Sequence, residues 1–290
     1  MIRSVLLTVT AACLCSTAAK AASPVSCDSG VTNTSLASAL KTAVNTPGNG
    51  GLGFNSWATV VNNDGTVCAI AYTGADYTQQ WLASRVISAQ KAATANSLSL
   101  AVTTGSPSKG ALALSTANLY SADRDGGSLF GLQFSNPVDP FDAYHNPDGT
   151  TPNQDVSATF GTTSDPLLGR PIGGINVFGG GLALYNNSGH KVGGLGVSGD
   201  TSCTDHMNAW IARSILKLDY LKTAGIAGPA SLFNGDTTHP DNIIFDIPSN
   251  SALLAGTNHL SLSGFGHPLC LNNPAFSPKT KTPTSLPAVE

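Results

Sequence analysis

Apolar residues at 36, 39/40 and 43/44 of Ser35–Val44 fall at helical spacing and predict a short helix, which the Pro47-Gly48-Asn49-Gly50-Gly51 cluster ends. Two β-rich runs follow, Ser56–Asn62 and Thr66–Thr73. Asn63-Asp64-Gly65 joins them, and an Asp-Gly turn between such runs predicts a hairpin. In the second run Val67, Ala69 and Ala71 alternate with Cys68, Ile70 and Tyr72. Leu82, Val86, Ala89 and Ala93 then mark a long amphipathic helix over Gln79–Ser97. Residues 111–135 predict a helical turn near Leu112–Tyr120 and an extended segment near Leu129–Phe134. A second, glycine-laced hairpin comprises Gly174–Tyr185 and Lys191–Ser198. A further helix runs from Cys203 to about Lys222, with Met207, Ile211, Ile215, Leu218 and Leu221 as its buried stripe. Beyond Gly225 the chain reads as loops, with one strand candidate at Asn242–Ile247.

Between Pro137 and Pro171 the pattern lapses into Pro, Asp, Asn, Gly and Thr, an irregular insertion of the kind that serves function or assembly. From Pro274 the chain reads as a loosely ordered, polar, proline-rich tail. At the other end, Met1-Ile2-Arg3, the apolar run Val5–Leu14 and Ala19-Lys20-Ala21 have the form of a secretory signal peptide cleaved after about Ala21 or Ala22. The run is too short to span a bilayer, and no later stretch is longer, so no membrane span is expected. The resulting organisation is a leader at 1–22, one domain at 23–273 with the insertion near 137–171, and a flexible tail at 274–290. The localisation expected is secreted or periplasmic.

Composition narrows the class. Only 11% of residues are charged and the formal net charge is −3, which argues against nucleic acid. Of six cysteines, Cys13 and Cys15 depart with the leader; Cys27, Cys68, Cys203 and Cys270 remain, enough for two disulfides in any of three pairings. None of the four has the close C-x-x-C spacing of a structural zinc site.

The order helix, hairpin, long helix, segment, glycine-rich hairpin, helix resembles the GlcG/HbpS-like haem-binding family, also found as the C-terminal domain of PduO-type proteins. Trp57-Ala58-Thr59-Val60-Val61-Asn62-Asn63-Asp64-Gly65 is similar to the family's first hairpin, Gly74-Ala75-Asp76 to its following turn, and Lys91-Ala92-Ala93-Thr94-Ala95 to its K-A-x-T-A helix. Val192-Gly193-Gly194-Leu195-Gly196-Val197-Ser198-Gly199-Asp200, with Asp205-His206 after it, is similar to its V-G-x-I-G-V-S-G…D pattern. These stretches cover roughly residues 35–222, without the insertion. The resemblance implies an α/β (α+β) domain with an antiparallel sheet flanked by helices, homo-oligomers, and non-covalent haem binding. The histidine that some relatives carry on the N-terminal helix has no counterpart in Ser35–Val44.

Residue chemistry points to the turn at 198–206. Ser202-Cys203-Thr204-Asp205 has capping-box form, with Ser202 as the cap, so the first helix amides would face the loop above and attract an anion. A haem propionate or a small carboxylate ligand suits that field, with Ser198, Gly199 and Asp200 beside it. The glycines serve equally well to let a strand pack close to a helix. His206 lies three residues after Cys203 and His267 three before Cys270, so a Cys203–Cys270 bridge would bring both imidazoles together, leaving Cys27–Cys68 as the other. Two such histidines could ligate haem iron or a divalent metal, or act as acid and base; otherwise they are hydrogen-bonded loop residues. Asp76 could face the same pocket or cap a turn. Arg85 and Lys91 share one helix and could pair with carboxylates or a ligand's acid groups, with a solvated helix face as the preferred reading. C-x-x-C-H, H-E-x-x-H, G-x-S-x-G and P-loop motifs are absent.

Three functions follow: an exported haem binder using His206 and His267; an enzyme acting on a hydroxy or keto acid with His206 and Asp205 as acid and base; and a structural module that oligomerises through the insertion.

Overall fold

A computed structural model describes residues 25–101, 111–149, 151–247, 261–270, 277 and 279–290. The expected leader lies outside them. Helix α1 (Asn33–Val44) starts at Thr32, whose hydroxyl accepts from Ser35 N at 3.1 Å, and it buries Leu36, Ala39, Leu40 and Ala43. Strands β1 (Trp57–Val61) and β2 (Val67–Tyr72) form the first hairpin, and β3 (Gly181–Tyr185) and β4 (Lys191–Ser198) the second. All pairings are antiparallel and the order is β2-β1-β4-β3, so the two hairpins meet through β1 and β4. The result is a mixed α+β fold: an open four-stranded antiparallel sheet flanked by helices.

Helix α2 (Ser84–Ser97) lies on one face of the sheet. The short helices α3 (Leu119–Ala122), α4 (Leu132–Ser135) and α5 (Pro140–Tyr144) follow it in the chain. Helix α6 (Ser202–Ile215) joins α1 on the opposite face, and α7 (Pro229–Asn234) comes last. Side-chain alternation splits the core accordingly. Ala58, Val60, Leu195 and Val197 pack with α1 and α6, whereas Trp57, Val61 and Ile70 pack with Val86, Ala89 and Ala92 of α2.

The glycines of β4 explain how close α2 comes. A Cβ on Gly196 would stand 1.9 Å from Ser88 O, and one on Gly194 2.3 Å from Ala92 O. The helix backbone therefore rests directly on the strand backbone, a contact only glycine permits.

Several boundaries differ from the sequence reading, each for a local reason. The helix expected from Gln79 starts at Ser84, because Asp76 caps a separate 3-10 turn at Tyr77–Gln79 and Gln80 is extended. The helix expected to reach Lys222 stops at Ile215: Lys217 turns with φ 58°, and Leu218 O then accepts from Tyr185 N at the edge of β3. Leu129–Phe134, expected to be extended, leads instead into the helical turn of α4. Asn242–Ile247 joins no strand, since its backbone bonds go to loops, among them Phe245 N to Lys281 O and His267 N to Ile244 O.

The insertion is built into the domain. Asp139 N donates to Ile172 O across its neck, and Gly169 and Arg170 exchange backbone bonds with Val67 of β2. Ala143, Phe160, Leu167 and Ile172 are buried in the α2-side core. The segment read as a flexible tail also packs: Thr282, Leu286 and Val289 are buried, and Trp210 Nε1 donates to Pro287 O at 2.9 Å. Both proposed bridges are present, Cys27–Cys68 with Cα atoms 5.1 Å apart and Cys203–Cys270 at 6.0 Å.

Candidate functional site

The turn from β4 into α6 is a dense polar knot. Thr201, one residue before the predicted cap, is the N-cap and receives Thr204 N. The hydroxyl of Ser202 instead accepts from Gly179 N at 2.7 Å and lies 2.8 Å from His267 Nε2. The Asp200 carboxylate accepts from Leu52, Phe54 and Thr201 N–H groups. The Asp205 carboxylate pairs with Lys91 Nζ at 2.8 Å and accepts from Asp200 N at 3.0 Å. Ser198 bonds Ser84 at 3.1 Å, and a Cβ on Gly199 would stand 2.4 Å from Asn55 O. Thus the polar groups that sequence assigns to a ligand have protein partners, and the space over the glycines is occupied by backbone.

The Cys203–Cys270 bridge does seat both histidines on the first turns of α6. His206 is wholly buried, with Nε2 3.0 Å from Asn242 Oδ1 and 3.1 Å from Ile243 N. Its Nδ1 is buried with no hydrogen-bond partner among the described residues. His267 Nδ1 lies 2.7 Å from Pro268 O, to which it donates, so Nε2 accepts from Ser202 in a neutral ring. Burial lowers both imidazoles to about 4, against partial compensation from Asn242 and Pro268 respectively. Burial also raises the Asp205 carboxyl, to about 6, against the opposing pull of Lys91. His267 thus has both ring nitrogens hydrogen-bonded, whereas His206 keeps Nδ1 unpaired in the interior. Among the described residues no group of three or more His, Cys, Asp or Glu is placed to hold a metal ion, and no helix is long and apolar enough to cross a membrane.

These shifts set a pH response. A base whose pKa is lower folded than unfolded binds fewer protons when folded, so His206 and His267 each withdraw up to about 3 kcal/mol of stability as pH falls from about 6.5 to about 4. Asp205 works oppositely between about 6 and 3.8, because its folded form takes up a proton first. With two histidines against one carboxyl, urea midpoints are expected to drop on going from pH 7 to pH 4.5. A midpoint that holds or rises would contradict neutral burial of the pair.

Arg85 and Lys91 follow the carboxylate-pairing alternative and not the preferred solvated face. Neither is on a solvated face: both are buried, Lys91 against Asp205 and Arg85 against Asp165, with the Arg85 guanidinium 3.8 Å from the Phe160 ring centre. Their partners lie 114 and 80 residues away, so no local spacing could announce them. Asp76 is exposed and accepts from Thr78 N at 2.8 Å, the capping alternative.

A ligand-sized hollow exists elsewhere, on the α2 face under the insertion. It measures about 440 Å³ and is walled by Trp57, Tyr77, Arg85, Val86, Tyr144 and Phe160. Tyr77 and Phe160 meet edge to face at 5.6 Å. Trp57 Nε1 is a buried donor with no acceptor among the described residues, and the Tyr77 and Tyr144 hydroxyls likewise have no hydrogen-bond partner there. Sequence reading missed this pocket; its one signal is the placing of Tyr144 and Phe160 within an otherwise polar stretch.

No family model matches the sequence, and no curated protein matches it. Among solved structures the chain is similar to a PduOC:haem complex, at 19% identity and a TM-score of 0.38 over 63% of this chain and 89% of that one. It is also similar to Klebsiella pneumoniae protein ORFY, of family model DUF336, at 22% identity and a TM-score of 0.38 over 64% and 90%.

Proposed function

We propose that this chain is an exported protein that binds haem, or a ligand of the same flat aromatic kind, without covalent attachment, in the pocket between the sheet and the insertion. The observation that carries the proposal is the aromatic-walled hollow of about 440 Å³ with Arg85 in its wall. Small-molecule sites are typically hollows of about 300–1,000 Å³, mostly apolar, with a few polar groups that fix orientation. The haem-family pattern in the sequence supplies the ligand class, and two disulfides agree with an oxidising compartment. Haem would bring a polarisable aromatic plane and an iron needing an axial donor. Within this pocket, Trp57 would offer ring contact and Tyr77 or Tyr144 the phenol oxygen, while Arg85, already paired with Asp165, would hold the Phe160 wall in place.

Adding haem to the purified protein is expected to shift the Soret band. Tyr77→Phe or Tyr144→Phe is expected to change the coordination spectrum, whereas His206→Ala and His267→Ala leave it as in the parent. Absence of any Soret shift would sink haem binding. A shift lost with either histidine but kept with both phenylalanines would return the iron to the turn of α6.

Self-association through the insertion is favoured by one observation of its own: Phe141 and Tyr144 are 60% and 43% exposed. Light scattering before and after deletion of the insertion tests it, and an unchanged mass would refute it.

A further inference from the structure

A second hollow lies beyond the wall of the first. Its volume is about 560 Å³, and it opens between the N-terminal segment at Val25 and Asn33, the Cys27–Cys68 bridge and the insertion. The 3-10 turn Asn153–Thr159 separates the two: Gln154 and Ser157 face the aromatic pocket, Val156 and Thr159 the larger one. Their linings differ in kind. No aromatic residue lines the larger hollow, which presents amides and hydroxyls from Asn33, Asn146, Thr163 and Ser164 over the apolar flanks of Val156 and Pro166.

Its one charged residue offers nothing to a ligand. Asp165 is buried, and its two oxygens receive Arg85, Gly161 N and Leu167 N. Asn146 is the opposite case. Its backbone is held by Thr151 O at 2.8 Å and by Arg170 at 3.0 Å, yet its side-chain oxygen is buried and accepts no hydrogen bond from any described residue. A buried acceptor left without a donor is costly, so something that donates to it is favoured there. Of Asn33, the amide nitrogen is spent on Ile70 O at 2.8 Å, while no hydrogen bond to its oxygen is found among the described residues.

We propose that this hollow is a binding site for a neutral, hydroxyl-rich ligand of monosaccharide size. Such a molecule supplies O–H donors to the Asn33 oxygen and, once the enclosed Asn146 amide turns toward the hollow, to its oxygen; it accepts from the Thr163 and Ser164 hydroxyls and lays its C–H face on Val156 and Pro166. Lack of a free charge in the lining disfavours a carboxylate or phosphate, and lack of an aromatic platform disfavours a flat ring. The proposal is independent of haem binding, since it rests on the other side of the 153–159 turn.

Calorimetric titration of the full mature protein with glucose, N-acetylglucosamine and myo-inositol tests it, together with amide NMR shifts. Saturable binding of at least one probe is expected, with shifts centred on residues 146 and 159–168. Asn146→Leu is expected to weaken that probe about 10-fold, the net worth of one ordinary hydrogen bond. Trp57→Leu, in the other pocket, should leave it unchanged. If Asn146→Leu fails to fold, Ser164→Ala at the rim serves the same arm with a smaller loss. No saturable response to any of the three probes, or shifts centred on residues 57, 77 and 85 instead, would overturn the assignment.

Discussion

Asp241→Ala is expected to destabilise the protein by about 3–5 kcal/mol, the loss seen when one partner of a buried ion pair is removed. Both partners are fully buried: Arg213 Nη1 and Nη2 meet the Asp241 oxygens at 2.6 and 2.9 Å, and Nη1 also donates to Ala183 O at 3.2 Å. With the carboxylate gone, a guanidinium that cannot lose its proton stays in a dry interior, where the Trp210 face at 4.6 Å and one carbonyl are poor replacements. The pair also ties α6 and β3 to the loop that carries Asn242 and Ile243, so the neighbourhood of His206 should loosen as well. Urea unfolding followed by tryptophan fluorescence reads the change. Arg213→Met with Asp241→Leu, which removes both charges, should recover most of the loss. A single-variant loss under about 1 kcal/mol would mean that water reaches the pair.

Gly196→Ala carries the second large effect, about 3 kcal/mol or more, because the added methyl meets backbone on a rigid helix and not the movable end of a side chain. Its Cβ would stand 1.9 Å from Ser88 O and 2.5 Å from Ala92 N, which forces α2 off β4. Thermal melting measures the loss. The experiment also separates two meanings of the glycine-rich strand. If the glycines leave room for a ligand, alanine lowers affinity and spares the melting temperature; if they seat α2, the melting temperature falls first. The geometry predicts the latter.

The two hairpins and the three long helices were legible because each rests on a local signal. The Asp-Gly turn at 64–65 specifies the first hairpin, Lys191–Ser198 came out with its observed bounds, and helix α1 is preceded by a hydroxyl cap. The cysteine pairing was one of three open to the sequence, proposed because it would gather His206 and His267, and the structure has it. The site was not. Ser198, Asp200, Asp205, His206 and His267 do converge, but chain-distant partners close around them: Ser84, Lys91, Leu52, Asn242 and Ser202. A motif shows that polar groups meet, not whether protein or ligand satisfies them.

Sequence alone therefore marked the two hairpins, the three long helices and their order, since hydrogen-bonded turns and side-chain periodicity act over a few residues. Only the tertiary structure decided which charges are buried, that the insertion roofs two hollows, and that His206 and His267 are neutral and enclosed. Those outcomes depend on desolvation, which is set by what packs against a group from 80 or 114 residues away, and no short stretch of chain records that.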